Sequence, residues 1–115
     1  MNLDDYRKLT GQTSTASKYH NIKTEADGIA FDSKLEAKRY RELQMLQRAG
    51  EIQGFALQPS FLFSSGVRYR PDFIICGKDG QIYCEDAKGH KTKEFIIKQK
   101  IWESEYPWMQ LRIVE

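Results

Sequence analysis

Two β-rich segments in the middle of the sequence are joined by a very short connection, and this connection constrains the fold most. The segments run from Tyr69 to Cys76 and from Gln81 to Ala87, on either side of Gly77-Lys78-Asp79-Gly80. A three-residue loop, Lys78 to Gly80 with Gly80 in the left-handed conformation, is a common hairpin connection. We therefore predict an antiparallel hairpin in which Gly77 pairs with Gln81.

This register decides which side chains face each other. The numbers of opposed residues have a constant sum, so Asp72 lies directly across from Asp86. Opposed side chains on one face have Cβ atoms about 5 Å apart, and two carboxylates at that distance repel each other unless a cation lies between them. Because oxygen ligands suit Mg²⁺ or Mn²⁺ better than zinc, the pair predicts a magnesium site in which Mn²⁺ can substitute.

Side-chain alternation adds a lysine to this pair. Lys88 lies two residues after Asp86 and projects to the same face, whereas Glu85 projects to the opposite face. A divalent cation beside an ammonium group suits phosphodiester hydrolysis, because the metal polarises the phosphate and activates water while the ammonium stabilises negative charge. We therefore interpret Asp72, Asp86 and Lys88 as a candidate catalytic site.

Two helices are predicted from their capping signals. Ser33, followed three residues later by Glu36, is a capping box, and Gly50 is the C-terminal stop of the helix that follows. Glu36 lies in the apolar arc of this helix, so its carboxylate leans toward the surface on which the helix packs. Thr92 caps a second helix through about Ser104. The residues that form the apolar arc of the second helix are Phe95, Ile97, Ile101 and Trp102.

The remaining segments complete an α/β pattern. Asp27-Gly28 marks a turn, residues 52–63 are β-rich with an interruption at Pro59 that indicates a bent or edge strand, and residues 109–114 form a final strand. The predicted order is helix, strand, strand, strand, helix, strand, which gives a mixed sheet flanked by helices. Residues 1–17 are polar and lack a hydrophobic period, so we interpret them as a flexible arm before one domain over residues 18–115.

These residues resemble the PD-(D/E)XK nuclease superfamily. The resemblance rests on Pro71-Asp72 followed, after a hairpin, by Asp86-Ala87-Lys88, and it covers roughly residues 19–115. A wider pattern is similar to a small phage and prophage branch related to Holliday-junction resolvases. The residues that carry this wider pattern are Gly28 to Phe31, Ser33, Glu36, Tyr40, Leu43, Gln58-Pro59, Asp72-Phe73, Glu85 to Gly89, Thr92 and Lys98.

The resemblance implies a restriction-endonuclease-like core. It also implies a Mg²⁺-dependent endonuclease that cuts branched DNA during DNA recombination. In that superfamily two acidic residues hold the metal, a lysine assists the attacking water, and a glutamate from the first helix completes the metal shell. The residues to which these roles transfer are Asp72, Asp86, Lys88 and Glu36, with the backbone carbonyl of Ala87 as a further metal ligand. Glu36 has the alternative of serving only as the capping partner of Ser33.

Candidate DNA contacts accompany the site, because phosphate neutralisation is the main source of affinity for nucleic acid. They are Arg68, Arg70, Lys91, Lys98 and Gln58. Structural alternatives stay open for each. Arg68 and Arg70 can form a solvated strand edge, and Lys91 can be an ordinary loop residue. Lys98 can pair with Glu94 on the same helix, and Gln58 can cap a sheet edge.

Composition excludes two classes of protein. Hydrophobic residues make up 40% of the 115 residues and charged residues 30%, which is enough apolar material for one core and excludes a disordered or a membrane protein. The first residues are acidic and polar, unlike a signal peptide, so we expect a cytoplasmic protein. The resemblance to the phage and prophage branch implies a bacterium or a phage-infected host cell. The net charge is only +2, but residues 68–100 hold eight basic and five acidic side chains. We expect a basic surface around an acidic, metal-filled centre.

The small size of the chain bears on its partners. A short chain has little room for base-specific elements, which favours recognition of DNA shape or backbone. A symmetric four-way junction requires two active sites, so we expect a homodimer. Alternatives are a less selective phage nickase or end-processing nuclease, which would share every residue named, and a non-catalytic DNA-binding protein on a degenerate nuclease fold. A small protein-interaction domain is disfavoured by the carboxylate and lysine cluster.

Overall fold

The computed structural model describes residues 23–115. The described residues fall into two compact units that divide between Arg41 and Glu42, within the first helix. Within the described range, no helix is long and apolar enough to cross a membrane. The predicted N-terminal arm, residues 1–17, lies outside the described residues.

The described part of the first unit begins with a β-hairpin. Strand β1 (Thr24–Ala26) pairs antiparallel with strand β2 (Ile29–Phe31). The turn between them places Asp27 at φ 53° and Gly28 at φ 77°. Two consecutive residues with positive φ are typical of a two-residue hairpin turn. The sequence analysis predicted this turn but not the two short strands that flank it.

Helix α1 (Lys34–Arg48) begins and ends where its capping signals predict. At its start, the backbone N–H of Glu36 donates to the Ser33 hydroxyl at 3.1 Å. At its end, Gly50 adopts φ 75° and its N–H donates to the Gln47 carbonyl at 3.1 Å. A left-handed glycine is the ordinary way to satisfy the last carbonyls of a helix.

The β-rich segment over residues 52–63 breaks at the predicted place. Strand β3 (Ile52–Leu57) ends just before Gln58, which has φ 48°. Beyond Pro59, strand β4 (Phe61–Leu62) pairs with strand β5 (Arg68–Tyr69) in a separate two-stranded ladder. The prediction of a bent or edge strand is therefore confirmed.

The predicted strand from Tyr69 to Cys76 is wrong in its first part. Strand β5 ends at Tyr69, and strand β6 (Phe73–Gly77) begins only after a break of three residues. Pro71 lies in this break, and a proline cannot donate the hydrogen bond that a continuous ladder needs at that position. The two pieces consequently belong to different sheets.

A four-stranded mixed sheet forms the centre of the second unit. Its strands, in order across the sheet, are β3, β6, β7 (Ile82–Ala87) and β8 (Leu111–Val114). The first three are antiparallel neighbours, and β8 is parallel to β7. Helix α2 (Lys93–Glu105) makes the crossover between the two parallel strands. The α/β class, the mixed sheet and the two helices are confirmed.

The hairpin of β6 and β7 has the predicted register. The opposed pairs are Phe73 with Glu85, Ile74 with Cys84, Ile75 with Tyr83 and Cys76 with Ile82. The backbone N–H of Gly77 donates to the Gln81 carbonyl at 2.8 Å, and Gly80 has φ 85°. Asp72 lies one residue before β6, so the ladder ends at Phe73 and Glu85 and does not include the predicted pair of Asp72 and Asp86.

Helix α2 packs on the sheet through one aromatic side. Thr92 caps it as predicted, accepting from the Phe95 N–H at 3.1 Å. Phe95 and Trp102 are buried in a cluster with three residues from the sheet and its connections, which are Phe63, Tyr69 and Cys84. Ile97, predicted to be buried, is 57% exposed. At about 100° per residue it lies about 160° from Phe95, on the opposite side of the helix.

Gly80 is the glycine on which the hairpin register depends. Its positive φ is a conformation in which a Cβ atom is strained. We expect Gly80→Ala to lower the free energy of unfolding by about 1–2 kcal/mol, measured by urea unfolding. Gly89→Ala is the matched control, because Gly89 lies outside the positive-φ region and an added Cβ meets nothing within 4 Å. Equal unfolding midpoints for the two variants would contradict this expectation.

Candidate active site

The carboxylate of Asp86 lies at the centre of the site and is almost completely buried, with 2% of the residue exposed. Its Oδ2 accepts a hydrogen bond from the Tyr69 hydroxyl. Its Oδ1 is buried without a hydrogen-bond partner among the described residues, and the Lys88 ammonium lies 3.6 Å away. A carboxylate oxygen is costly to bury unsatisfied, so Oδ1 is the atom at which this site can accept a cation.

Lys88 lies between a carboxylate and an aromatic ring. Its Nζ is 3.6 Å from Asp86 Oδ1 and 5.1 Å from the centroid of the Phe95 ring. The side chain is 35% exposed. The contact with Asp86 confirms that Lys88 and Asp86 share a face of the sheet, and the contact with Phe95 shows that α2 borders this face.

Asp72 links the ends of three strands. Its Oδ2 accepts from the backbone N–H of Ala87 at 2.7 Å, and its backbone carbonyl accepts from the N–H of Gln58 at 2.9 Å. It is close enough to Tyr69 for its charge to raise the pKa of that hydroxyl, as the charge of Asp86 also does. The two predicted metal-binding carboxylates therefore converge on one region of the structure.

Tyr69 is the residue of this site that the sequence analysis missed. It is 5% exposed, and its ring stacks on Phe63 with centroids 6.1 Å apart. Burial, followed by the charge of Asp86, raises the pKa of Tyr69 far above its ordinary value, so the hydroxyl keeps its proton and donates. The local signal is the break at Pro71, which takes Tyr69 out of the strand that carries Asp72.

The residues that precede Asp86 on β7 are buried on both faces of the strand. Cys84, two residues earlier on the same face, is fully buried, and burial raises the pKa of its thiol to about 12. Glu85 is also buried but belongs to the opposite face, where it pairs with Phe73 in β6 and Arg112 in β8. Alternation along β7 thus separates the two neighbouring acids, as predicted.

Glu36 is buried in the first unit, at the start of α1. Its N–H donates to the Ser33 hydroxyl, which caps the helix, and its Oε2 accepts from the backbone N–H of Asp32 at 3.4 Å. The cap at Ser33 is confirmed, but the Glu36 carboxylate bonds Asp32 and not Ser33. Its role as a metal ligand stays a prediction.

The two predicted DNA-contacting arginines lie on either side of Tyr69. Arg68 and Arg70 are both exposed, although Tyr69 between them is buried. The Arg68 guanidinium donates to the Ser60 hydroxyl at 3.4 Å, which holds it along the β4 and β5 ladder. Both arginines are therefore presented on the outside of the segment whose tyrosine reaches Asp86.

The other predicted DNA contacts differ in their surroundings. Gln58 is half-buried at the end of the edge strand β3, and its backbone bond to Asp72 places it beside the site. Lys91 is exposed in the loop before α2, and Lys98 is half-buried on α2. The part that each plays in DNA binding stays a prediction.

Comparison with known proteins assigns the chain to a family. A profile of the family described as "Protein of unknown function (DUF1064)" matches residues 16–115. The chain belongs to this family. Searches of curated proteins and of solved structures found no match to this DUF1064 protein. Since the family description carries no activity, the chemistry of the site is argued from its own residues.

The site of the DUF1064 protein offers oxygen ligands to a divalent cation. The candidates are the carboxylates of Asp72 and Asp86 and the carbonyl of Ala87. Within residues 23–115, no three His, Cys, Asp or Glu side chains form a group that could hold a metal ion. Mg²⁺ is commonly held by only one or two carboxylates together with waters and substrate phosphate. The two carboxylates and the unsatisfied Oδ1 of Asp86 therefore fit Mg²⁺ or Mn²⁺.

The ion pair between Lys88 and Asp86 can be tested through stability. We expect Lys88→Met to lower the free energy of unfolding by about 1–3 kcal/mol, because it leaves a buried carboxylate without its neighbouring cation. Methionine keeps an apolar stem against Phe95. Chemical unfolding in EDTA measures the difference. Lys100→Met, at an exposed position of α2, should stay within about 0.5 kcal/mol of the wild type. Equal losses of unfolding free energy in the two variants would contradict a specific contribution of the Lys88–Asp86 ion pair to stability.

Proposed function

We propose that this DUF1064 protein is a Mg²⁺-dependent DNA endonuclease of the PD-(D/E)XK type that acts on branched DNA as a homodimer. One observation carries the proposal: two carboxylates and one ammonium group lie together at the end of the hairpin where β6 begins and β7 ends. Lys88 Nζ lies 3.6 Å from Asp86 Oδ1. Asp72 Oδ2 accepts from the backbone N–H of Ala87, the residue after Asp86, at 2.7 Å.

The order of elements supports the same proposal. The nuclease core that the resemblance implies consists of a helix, three strands, a second helix and a further strand. This chain has α1, the antiparallel strands β3, β6 and β7, then α2, and then β8 parallel to β7. The candidate residues lie at the start of β6 and the end of β7, which are adjacent ends of neighbouring strands.

Each residue of the site has a role that follows from its position. When bound, Mg²⁺ supplies a Lewis acid for the scissile phosphate and lowers the pKa of a water ligand. The carboxylates of Asp72 and Asp86 would hold it, with the Ala87 carbonyl as a further candidate ligand. The Lys88 side chain is partly exposed, and its ammonium group would position the attacking water or neutralise the charge that develops on the phosphate.

Two parts of the proposal, the selectivity for branched DNA and the homodimer, rest on the shape and symmetry of the substrate. The exposed basic residues near the site, Arg68, Arg70 and Lys91, suit contacts to phosphate, which carry no sequence information. Recognition of shape is then the available route to selectivity. A four-way junction presents two equivalent strands for cutting, and a pair of subunits provides one site for each.

The nuclease proposal predicts metal-dependent cutting that Asp86 controls. We expect the protein to cut a labelled four-way junction with Mg²⁺ and not with EDTA. Asp86→Asn should lower the cutting rate by at least about a hundredfold, since it removes a charged metal ligand, while the affinity for DNA in a gel-shift assay is retained. Asp79→Asn is the matched control, because Asp79 is an exposed acid in the loop of the same hairpin.

The outcomes separate the alternatives. Absence of metal-dependent cutting of junction, linear duplex and single strand would overturn the enzyme proposal. Equal rates on junction and linear duplex would favour a less selective nickase or end-processing nuclease. Light scattering that shows a monomer at concentrations where the protein cuts would contradict the paired-site arrangement.

DNA binding by the loop before α2 gives a separate prediction. We expect Lys91→Ala to weaken binding to duplex and junction alike and to reduce the slope of log affinity against log salt by about 1, as expected for one lost phosphate contact. Lys78→Ala is the control, because Lys78 is exposed in the loop that joins β6 and β7, at the end of the hairpin away from Asp72 and Asp86. A wild-type salt slope for Lys91→Ala would show that Lys91 does not contact phosphate.

A further inference from the structure

We propose that Tyr69 is a positioning residue that determines how Asp86 binds a cation, and through this which cation the site prefers. The inference rests on the proposed metal site. The Tyr69 hydroxyl occupies Oδ2 of Asp86. Oδ1 has no hydrogen-bond partner among the described residues and lies 3.6 Å from Lys88 Nζ. Oδ2 already has one lone pair engaged by a donor, so Oδ1 is the oxygen that the carboxylate offers most readily to a metal ion.

The hydrogen bond of Tyr69 is held in place by the packing of its ring. The ring lies 6.1 Å from Phe63, 6.0 Å from Trp102 and 6.5 Å from Phe95, measured between centroids. Trp102 is itself fixed, since its indole N–H donates to the Met109 carbonyl at 2.8 Å. Close-packed aromatic side chains do not rearrange independently. The hydroxyl thus occupies Oδ2 before any cation arrives.

Coordination through a single oxygen distinguishes between divalent cations. Mg²⁺ takes octahedral coordination with few carboxylate oxygens and several waters, and Mn²⁺ suits the same kind of oxygen site. Ca²⁺ takes roughly six to eight oxygen ligands and often uses both oxygens of one carboxylate. An Asp86 carboxylate whose Oδ2 already accepts a hydrogen bond favours coordination of a metal ion through one oxygen, as Mg²⁺ and Mn²⁺ use, and disfavours coordination of Ca²⁺ through both oxygens. Tyr69 consequently favours the smaller cations without touching them.

The test compares the affinities for two metal ions in the absence of DNA. Free Mn²⁺ is measured by electron paramagnetic resonance, and Ca²⁺ is added as a competitor. Tyr69→Phe keeps the ring and removes the hydroxyl, and we expect it to weaken Mn²⁺ binding about tenfold without weakening Ca²⁺ binding. Tyr106→Phe is the matched control. Its hydroxyl donates to the Leu62 carbonyl at 2.6 Å, and its ring packs on Trp102 in the same aromatic group, so it should keep the wild-type ratio of affinities.

The outcomes distinguish this inference from the proposed function. If Tyr69→Phe binds both ions with wild-type affinities, the inference is overturned and the proposed metal site stands. A general loss of packing would weaken both ions together and would likewise overturn the inference. If the wild-type protein binds no Mn²⁺, or binds it no more tightly than Asp86→Asn does, the proposed metal site is wrong. The inference is then wrong as well.

A second measurement decides the question if Tyr69→Phe does not fold. Wild-type protein labelled with ¹³C at the tyrosine Cζ reports the hydrogen bonding of each hydroxyl by NMR. We expect the Tyr69 signal to keep its position when Mg²⁺ saturates the site, because Oδ2 continues to accept from the hydroxyl. Movement of the signal to the position of a tyrosine exposed to water would show that the metal ion takes both oxygens, which would overturn the inference.

Discussion

Burial of the Asp86 carboxylate is the constraint that the second unit has to satisfy. Removing a carboxylate from water costs several kcal/mol unless a donor or a cation compensates it. Tyr69 supplies the donor and Lys88 supplies the cation. These two side chains come from β5 and from the end of β7, which are not neighbours in any ladder. Alternation along the chain brings Lys88 to Asp86, whereas the aromatic cluster, which includes Phe95 and Trp102 of α2, holds Tyr69 beside the carboxylate.

The break at Pro71 is what allows Tyr69 to reach Asp86. In a continuous strand, Tyr69 and Asp72 would be three residues apart and would project to opposite faces. The predicted register would put Asp72 and Asp86 on one face, so Tyr69 would then point away from both. Because the chain leaves the sheet at Pro71, β5 pairs with β4 instead, and the tyrosine ring packs against Phe63 and the rings of α2. The interruption of the strand at Pro71 therefore brings a hydrogen-bond donor, the Tyr69 hydroxyl, to Asp86.

The features that could be predicted from the sequence have local causes. Gly80 fixes the hairpin register through its own backbone conformation, and Ser33, Gly50 and Thr92 end or begin helices through bonds to residues within one turn. Once the register is fixed, Asp72 comes to the end of the hairpin where Asp86 lies, and alternation then adds Lys88. The buried helix faces and the contact between Tyr69 and Asp86 depend on where distant elements meet. Periodicity alone therefore misplaced Ile97 and gave no indication of the tyrosine.

Burial also changes the meaning of the charge balance. The sequence has eighteen basic and sixteen acidic residues, and three of the acids, Glu36, Glu85 and Asp86, are buried within the described residues. Thirteen acids then remain against eighteen bases, so the other charges are more positive than the total of +2 indicates. Screening confines the effect of exposed charges to about 8 Å at physiological salt, which makes their local placement decisive. A carboxylate that is enclosed and paired, with exposed arginines nearby in the chain, repels an approaching phosphate less than an exposed acid would. The same burial that demands a donor and a cation therefore also removes a negative charge from the surface of the second unit.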